Sequence, residues 1–363
     1  MKTDPVLKWR LGGNDALPEN VAAYLGQAWS KMYIGRVRIA NTERWVGFIG
    51  GGYSGTNCAG ATCDTRGKGF FVVDLSDGTI LWQYTHADNG SMNYDLAAGP
   101  TVVDYDQDGF LDTAYIGDLG GNIWRFKFCL AGDDTSSSPC QCIAGSCPKW
   151  SGGLLFNNTT TDSYGNKSIY TVPVVAFDKR FNLWVYAGTG NKTDPTGAKS
   201  NGRLLSIKDS DRAKQSSTTY TLNNLTDASG NSLNCDVQGW YYNLTGVGEK
   251  ILSEPAIFNK VLYFSTYIPA ASSSACNVAG TSNVYYFDYL CGTGGKISVP
   301  VGGIPSSPVV SYNPNTKGYD IYVSLSEEAK KSTAVHTIKL NPGQDHTAIP
   351  AKTLLYWKDT RIQ

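Results

Sequence analysis

Five times along this chain a short β-rich run ends at Gly or Ser, crosses a loop of variable length, and resumes as a second run of aromatic and aliphatic residues. WVGFIGGGYSG leads to GKGFFVVDLSDGTILWQY, LDTAYIGD to GGNIWRFKF, NLWVYAGTGN to GRLLSIKD, VLYFSTYIP to SNVYYFDY, and YDIYVSLS to AVHTIKL. A further short run follows, of which GLLFNN, GWYYNL and LLYWKD are the clearest, so the unit approaches four strands. Four-stranded antiparallel units hide their edges by stacking radially, and unequal spacing between units is expected because inter-strand loops vary freely. The pattern therefore reads as all-β: one β-propeller domain over residues 1–363, in preference to a pair of two-sheet sandwiches. The early KWRL segment is expected as a lone outer strand that closes the ring against the C-terminal unit. VAAYLGQAW has some helical spacing but is interrupted by Gly26, so no helix of ordinary length is expected.

Composition supports this and excludes several classes. Forty glycines, 22 tyrosines and nine tryptophans against three methionines suit strands and turns. The 31 basic and 31 acidic residues cancel, which leaves no global field to attract nucleic acid or an anionic membrane. No run approaches the roughly 18 apolar residues of a membrane span. The N-terminal MKTDPVLKWRLGG lacks the apolar core of a signal peptide, so the chain reads as a C-terminal piece of something longer.

Nine cysteines lie in loops rich in Gly, Ser, Thr and Asn, which points to an oxidising compartment and long disulfide-containing loops. The run CLAGDDTSSSPCQCIAGSCP has neither paired C-x-x-C knuckles nor a nearby histidine, so disulfides are preferred there over zinc or iron-sulfur. The local pairs expected are Cys58 with Cys63 and Cys276 with Cys291, plus two bridges among Cys129, Cys140, Cys142 and Cys147. Cys235 is then left over, or its partner lies outside this chain.

The densest chemistry is VDYDQDGFLDTAYIGD, which places Asp104, Asp106, Asp108 and Asp112 within nine residues. Numbering Asp104 as one, carboxylates fall at one, three and five, Gly109 at six permits a tight turn, Phe110 at seven offers its backbone carbonyl, and Asp112 sits at nine. Such a set serves a hard cation that takes six to eight oxygens, and calcium tolerates its irregular geometry where magnesium does not. Position twelve is Tyr115 rather than glutamate and both flanks, TVV and TAYI, are β-rich, so the metal would pin a β-hairpin and not a helix pair. The competing reading is a polar turn with solvated carboxylates.

This loop, running into YIGDLGGNIWRF, together with LGQAWSKMYIGRV, WVGFIGGGYSG and FFVVDLSDGTILW upstream, is similar to the C-terminal domain of the PilY family of type IV pilus tip-associated adhesins and biogenesis factors. The similarity runs through most of residues 24 to 130 and persists as unit spacing to about 360. It implies a modified seven-bladed, quinoprotein-like propeller without catalytic activity, exported through the periplasm to the cell surface or pilus tip. It also implies Ca2+ held by Asp104, Asp106, Asp108, the carbonyl of Phe110, and Asp112. The implied partners are pilus components such as minor pilins and the tip complex, with a host or abiotic surface beyond them. The implied roles are pilus biogenesis, control of retraction, twitching motility and adhesion. The chain departs from the common pattern in its cysteine-rich insert at 129 to 147. It carries no Arg-Gly-Asp triplet, so an integrin-binding role finds no support.

Two other classes compete. A quinone-dependent dehydrogenase is also a calcium-holding propeller, but such enzymes tend to show adjacent paired cysteines and repeated tryptophan motifs. Here the nearest pair is Cys140-x-Cys142, and only Trp82 and Trp124 hold the matching hairpin position. A surface propeller binding carbohydrate through exposed tyrosines such as Tyr241 and Tyr242 is the third reading. Gly50, Gly52 and Gly55 match G-x-G-x-x-G, but TNCAGATCDTRG follows, with no helix to hold a pyrophosphate. His86, His336 and His346 have no matched acid and read as surface or strand residues.

Overall fold

The structure, a computed structural model, describes residues 7–11, 18–39, 42–58, 63–128, 150–159, 164–165, 167–210, 218–229, 235–270, 280–299, 302–313, 318–325 and 335–339. Five sheets follow one another in chain order. The first pairs β1 (Tyr33–Ile39), β2 (Thr42–Gly50), β3 (Gly69–Asp74) and β4 (Ile80–Thr85) in that order, and the second pairs β5 (Thr101–Val103), β6 (Thr113–Gly117), β7 (Ile123–Lys127) and β8 (Ser151–Phe156). The third contains β9 (Val174–Phe177), β10 (Leu183–Gly188), β11 (Arg203–Asp209), β12 (Thr226–Asp227) and β13 (Gly239–Asn243). The fourth pairs β14 (Ala256–Phe258), β15 (Val261–Ile268), β16 (Thr281–Asp288) and β17 (Gly294–Val299). The fifth holds β18 (Val309–Asn313), β19 (Gly318–Ser324) and β20 (Val335–Lys339). Among the described residues, neighbouring strands of these sheets pair antiparallel except β12 with β13, and Phe156 at the end of β8 adds an isolated parallel bridge to Tyr220. Each of the five strand pairs expected from the sequence is present, and GLLFNN and GWYYNL supply β8 and β13; LLYWKD lies outside the described residues.

The sheets stack face to face because their middle strands are apolar on both sides. In β6, Ala114 and Ile116 enter the core shared with the first sheet, while Tyr115 enters the core shared with the third. In β10, Leu183, Val185 and Ala187 face the second sheet and Trp184 and Tyr186 face the fourth. In β15, Leu262 and Phe264 turn toward the third sheet, Val261 and Tyr263 toward the fifth. The period of two along each strand thus builds four successive inter-sheet cores, the packing of a propeller. Five such sheets are present among the described residues, against the seven blades that the resemblance implies.

The KWRL segment is not a strand. Residues 8–11 are irregular, and Trp9 donates its indole N–H to Leu75 O (2.9 Å) across the β3–β4 turn. With Leu11, Val21, Tyr24 and Leu25, Trp9 covers Phe71 and Val73, which β3 directs away from the second sheet. Covering that apolar face gains more than adding an edge strand, and the segment spends its length on it. Helix among the described residues amounts to Glu19–Ala22 and a single 3-10 turn at Leu222–Asn224, and no helix there is long and apolar enough to cross a membrane.

Four hairpins share one turn device. Asp74, Asp118, Asp178 and Asp288 end or follow a strand, and each carboxylate accepts at least one backbone N–H from the turn it opens. Asp118 and Asp178 go further: each also accepts a side-chain N–H from an asparagine four residues on and an indole N–H from a tryptophan six residues on.

One disulfide expectation holds and another is corrected. Cys58 is bonded to Cys63, as expected. Cys291 is bonded to Cys235, not to Cys276, so Cys235 is not the leftover thiol. Adjacency in sequence misled here: β16 and its turn carry Cys291 to the third sheet, where Gly292 packs on Trp240 beside Cys235. Cys276, Cys129, Cys140, Cys142 and Cys147 lie outside the described residues.

Candidate metal centre

The aspartate loop joins β5 to β6, so two paired strands fix both of its ends. Its backbone turns tightly, with Gly109 at φ 92° and Gln107 at φ 61°, a conformation that glycine takes freely and other residues rarely. Within the turn the carboxylates are drawn inward by amides. Asp108 N–H donates to Asp104 Oδ1 (3.1 Å) and to Asp106 Oδ1 (3.3 Å), Gly109 N–H to Asp104 Oδ2 (2.7 Å), and Phe110 N–H to Asp108 Oδ1 (2.8 Å).

Asp104, Asp106 and Asp108 each bring a carboxylate oxygen within 4.8 Å of the other two, with Asp104 buried, Asp106 exposed and Asp108 between. Asp112 takes a different place: its Oδ2 accepts Tyr105 N–H (2.7 Å) and Asp106 N–H (3.4 Å), and its Oδ1 accepts the Thr113 hydroxyl (2.7 Å). It staples the loop's first turn to the start of β6. Burial pushes the Asp104 carboxyl above its ordinary value, the amide of Gly109 opposes this, and the charges of Asp108 and Asp106 add to it. Three converging carboxylates, one of them buried and strained electrostatically, form an all-oxygen donor set that fits a hard divalent cation.

Two arginines of β1 reach this loop from the neighbouring sheet. Arg38 pairs with Asp108 Oδ2 at 3.1 Å and lies over the Phe110 ring at 4.4 Å. Arg36 donates to Gly109 O (3.1 Å), and its own carbonyl accepts Leu111 N–H (2.7 Å). Nothing in the local spacing of the aspartates pointed to these residues, because they stand some 70 positions earlier in the chain.

The other residues singled out in the sequence are placed as follows. The glycine-rich stretch after β2 does bind a carboxylate, but its own: Ser54 N–H (2.6 Å) and Gly55 N–H (2.9 Å) donate to Asp95 Oδ2, and buried Lys68 neutralises Asp95 at 2.9 Å. Tyr241 and Tyr242 are half-buried and packed against the two cores flanking the third sheet, so they are not the exposed platform expected for a sugar site. His86 is half-buried, with Nε2 3.3 Å from Cys58 Sγ and Nδ1 3.0 Å from Met92 O, so it packs on the disulfide from a partly exposed position. The side chains of His336 and His346 lie outside the described residues.

Comparison with known proteins gives the same lineage. The family model of the PilY1 beta-propeller domain matches residues 7–235, which contain the whole aspartate loop and both arginines. A type IV pilus biogenesis factor PilY1 homolog of Xylella fastidiosa (strain Temecula1) is 24% identical over 323 residues, which is 78% of this chain but 20% of that protein. The type IV pilus biogenesis factor PilY1 of Pseudomonas aeruginosa (strain UCBPP-PA14) is 30% identical over 115 residues, 32% of this chain and 9% of its own length. The chain therefore spans a small part of the curated relatives it matches. In fold it is similar to the crystal structure of the Pseudomonas aeruginosa PilY1 C-terminal domain, with a TM-score of 0.60 at 18% identity over 85% of this chain and 72% of that one. The stacked antiparallel sheets and a family match over more than half of the sequence place this chain in the PilY1 beta-propeller domain family.

Proposed function

We propose that this chain is the calcium-binding, non-enzymatic propeller of a type IV pilus-associated surface protein, and that occupancy of the loop governs how that protein supports pilus biogenesis, retraction control, twitching motility and adhesion. The observation that carries the reading is the convergence of the Asp104, Asp106 and Asp108 carboxylates in a β-hairpin loop of a PilY1-family domain. The Phe110 carbonyl and Asp112 complete the proposed donor set. Its partners are pilus components, including minor pilins and the tip complex, with a host or abiotic surface beyond. Export through the periplasm to the cell surface suits a domain with two bridged cysteine pairs.

The physical basis for regulation is linkage. A ligand that binds only the ordered loop stabilises it by RT ln(1 + [Ca]/Kd), about 2.7 kcal/mol at a hundredfold excess over Kd. That suffices to move a loop from mostly open to mostly closed. The test is Asp108→Ala in the full-length parent, with pili and twitching measured at matched protein levels. The expected result is altered surface piliation or twitching. Normal piliation, motility and attachment in a variant that has lost calcium would make the metal structural only. A quinone-dependent dye reduction with an alcohol by the purified domain would replace this reading with the dehydrogenase one.

A further inference from the structure

Four carboxylates crowded into nine residues need compensating positive charge even when no metal is bound. The loop's amides supply part of it. Among the described residues, the Arg38 guanidinium adds a full positive charge in direct contact with one of these carboxylates, 3.1 Å from Asp108 Oδ2. Its position is held from two sides. It stacks on Phe110 at 4.4 Å, and strand β1 is locked to the loop by Leu111 N–H to Arg36 O and by Arg36 to Gly109 O, while Arg36 is itself tied to Glu43 at 3.0 Å. Arg38 therefore sits beside Asp108 because the backbone of its strand is fastened to the loop, not through a chance surface encounter.

We infer that Arg38 is the loop's resident counter-cation, and that it competes with a divalent cation for Asp108. This rests on the calcium reading above and adds its regulation. In the metal-free domain Arg38 neutralises Asp108 and keeps the turn folded. When a divalent cation enters, Asp108 serves the metal, and the guanidinium loses its carboxylate and meets a second positive charge. Arg38 thus sets the calcium concentration at which the loop fills, and it passes that event to the first sheet. The contacts through Arg36 do not involve a carboxylate of the loop, so they persist in both states and keep the two sheets joined.

The test uses the whole domain. Arg38→Gln removes the charge and keeps a polar side chain of similar reach. At low ionic strength calorimetric titration should show calcium binding tightened by about tenfold relative to wild type, because a nearby cation no longer repels the ion. The gap should shrink in 0.5 M salt, where the screening length falls to roughly 4 Å. In chelator the variant should melt below wild type, and saturating calcium should close that difference. Arg44→Gln on β2, which removes an equal charge from a pair with Asp74, should leave calcium affinity unchanged. Arg38→Lys, the variant to use if Arg38→Gln does not fold, should bind calcium within about twofold of wild type, since the charge is retained.

Calcium affinity unchanged or weakened in a natively folded Arg38→Gln overturns the competition, as does an equal gain from Arg44→Gln or a tenfold gain from Arg38→Lys. If wild type itself binds no calcium, the metal reading fails, and the chelator melts decide the counter-cation role alone: equal midpoints for wild type and Arg38→Gln would overturn that too.

Discussion

Asp118 lies wholly buried at the β6–β7 turn, where four N–H groups from Gly120, Asn122 and Trp124 converge on its two oxygens. Burial pushes its carboxyl up to about 6 from the ordinary 3.8, and the donors hold it from rising further. An acid with a raised folded pKa binds its proton more tightly in the native state, so its contribution to stability is present below the unfolded value and is lost as pH rises through the folded one. Between pH 4 and 6, urea melts of wild type should therefore lose stability against Asp118→Asn, by up to about 3 kcal/mol, since a tenfold change in proton affinity is worth about 1.36 kcal/mol. A difference that stays flat across that window would mean the turn holds Asp118 ionised throughout. The convergence of Asp104, Asp106 and Asp108 was legible in the sequence because alternate positions in a tight turn bring their carboxylates together. Asp118 and Asp178 were equally legible and were missed: D-x-x-x-N-x-W occurs in both GDLGGNIW and DKRFNLW. Arg38 was not legible at all, since its role depends on which strand packs beside the loop.

At the scale of strands, a glycine closes the same edge in three successive sheets. Gly50 ends β2, Gly117 ends β6 and Gly188 ends β10, and the segment leading into the next sheet crosses each one through Leu96, Ile169 or Ile251. A Cβ at Gly188 would run into the Ile251 side chain, which is itself buried. Gly188→Ala should therefore cost about 1–3 kcal/mol through overpacking. Ile251→Ala alone should cost about 2–4 kcal/mol through its cavity. The double variant should cost clearly less than the sum, because each change relieves the other. Additive losses in denaturant melts would show that the crossing segment does not pack as described. The recurring aromatic-aliphatic-Gly endings were visible as strand ends. What they serve was hidden, since the residue that needs the space comes from the next unit.

The described sheets are held face to face, and the two described disulfides differ in reach. Cys58–Cys63 closes a sequence separation of 5 residues within one loop, whereas Cys235–Cys291 closes 56 and joins the third sheet to the fourth. On the chain-entropy account the longer closure is worth about 4 kcal/mol and the shorter about 2 kcal/mol. The architecture was legible from repetition, because five similar units have one economical way to hide their edges. The place of the KWRL segment and the far cysteine pair were not, since both depend on which segments meet after stacking. If the successive inter-sheet cores act together, the domain should melt in a single transition, and a stable protease-resistant half would contradict one cooperative unit. The aspartate loop belongs to that unit, as strands of two sheets hold it. The most direct test is calorimetric titration of the chelator-treated domain with calcium, paired with melting curves. The account predicts binding at one site per chain and a raised midpoint of the single transition, with both lost in Asp108→Ala while its β-sheet signature stays native. A wild-type domain that takes up no calcium, or an Asp108→Ala variant that titrates like wild type, would contradict it.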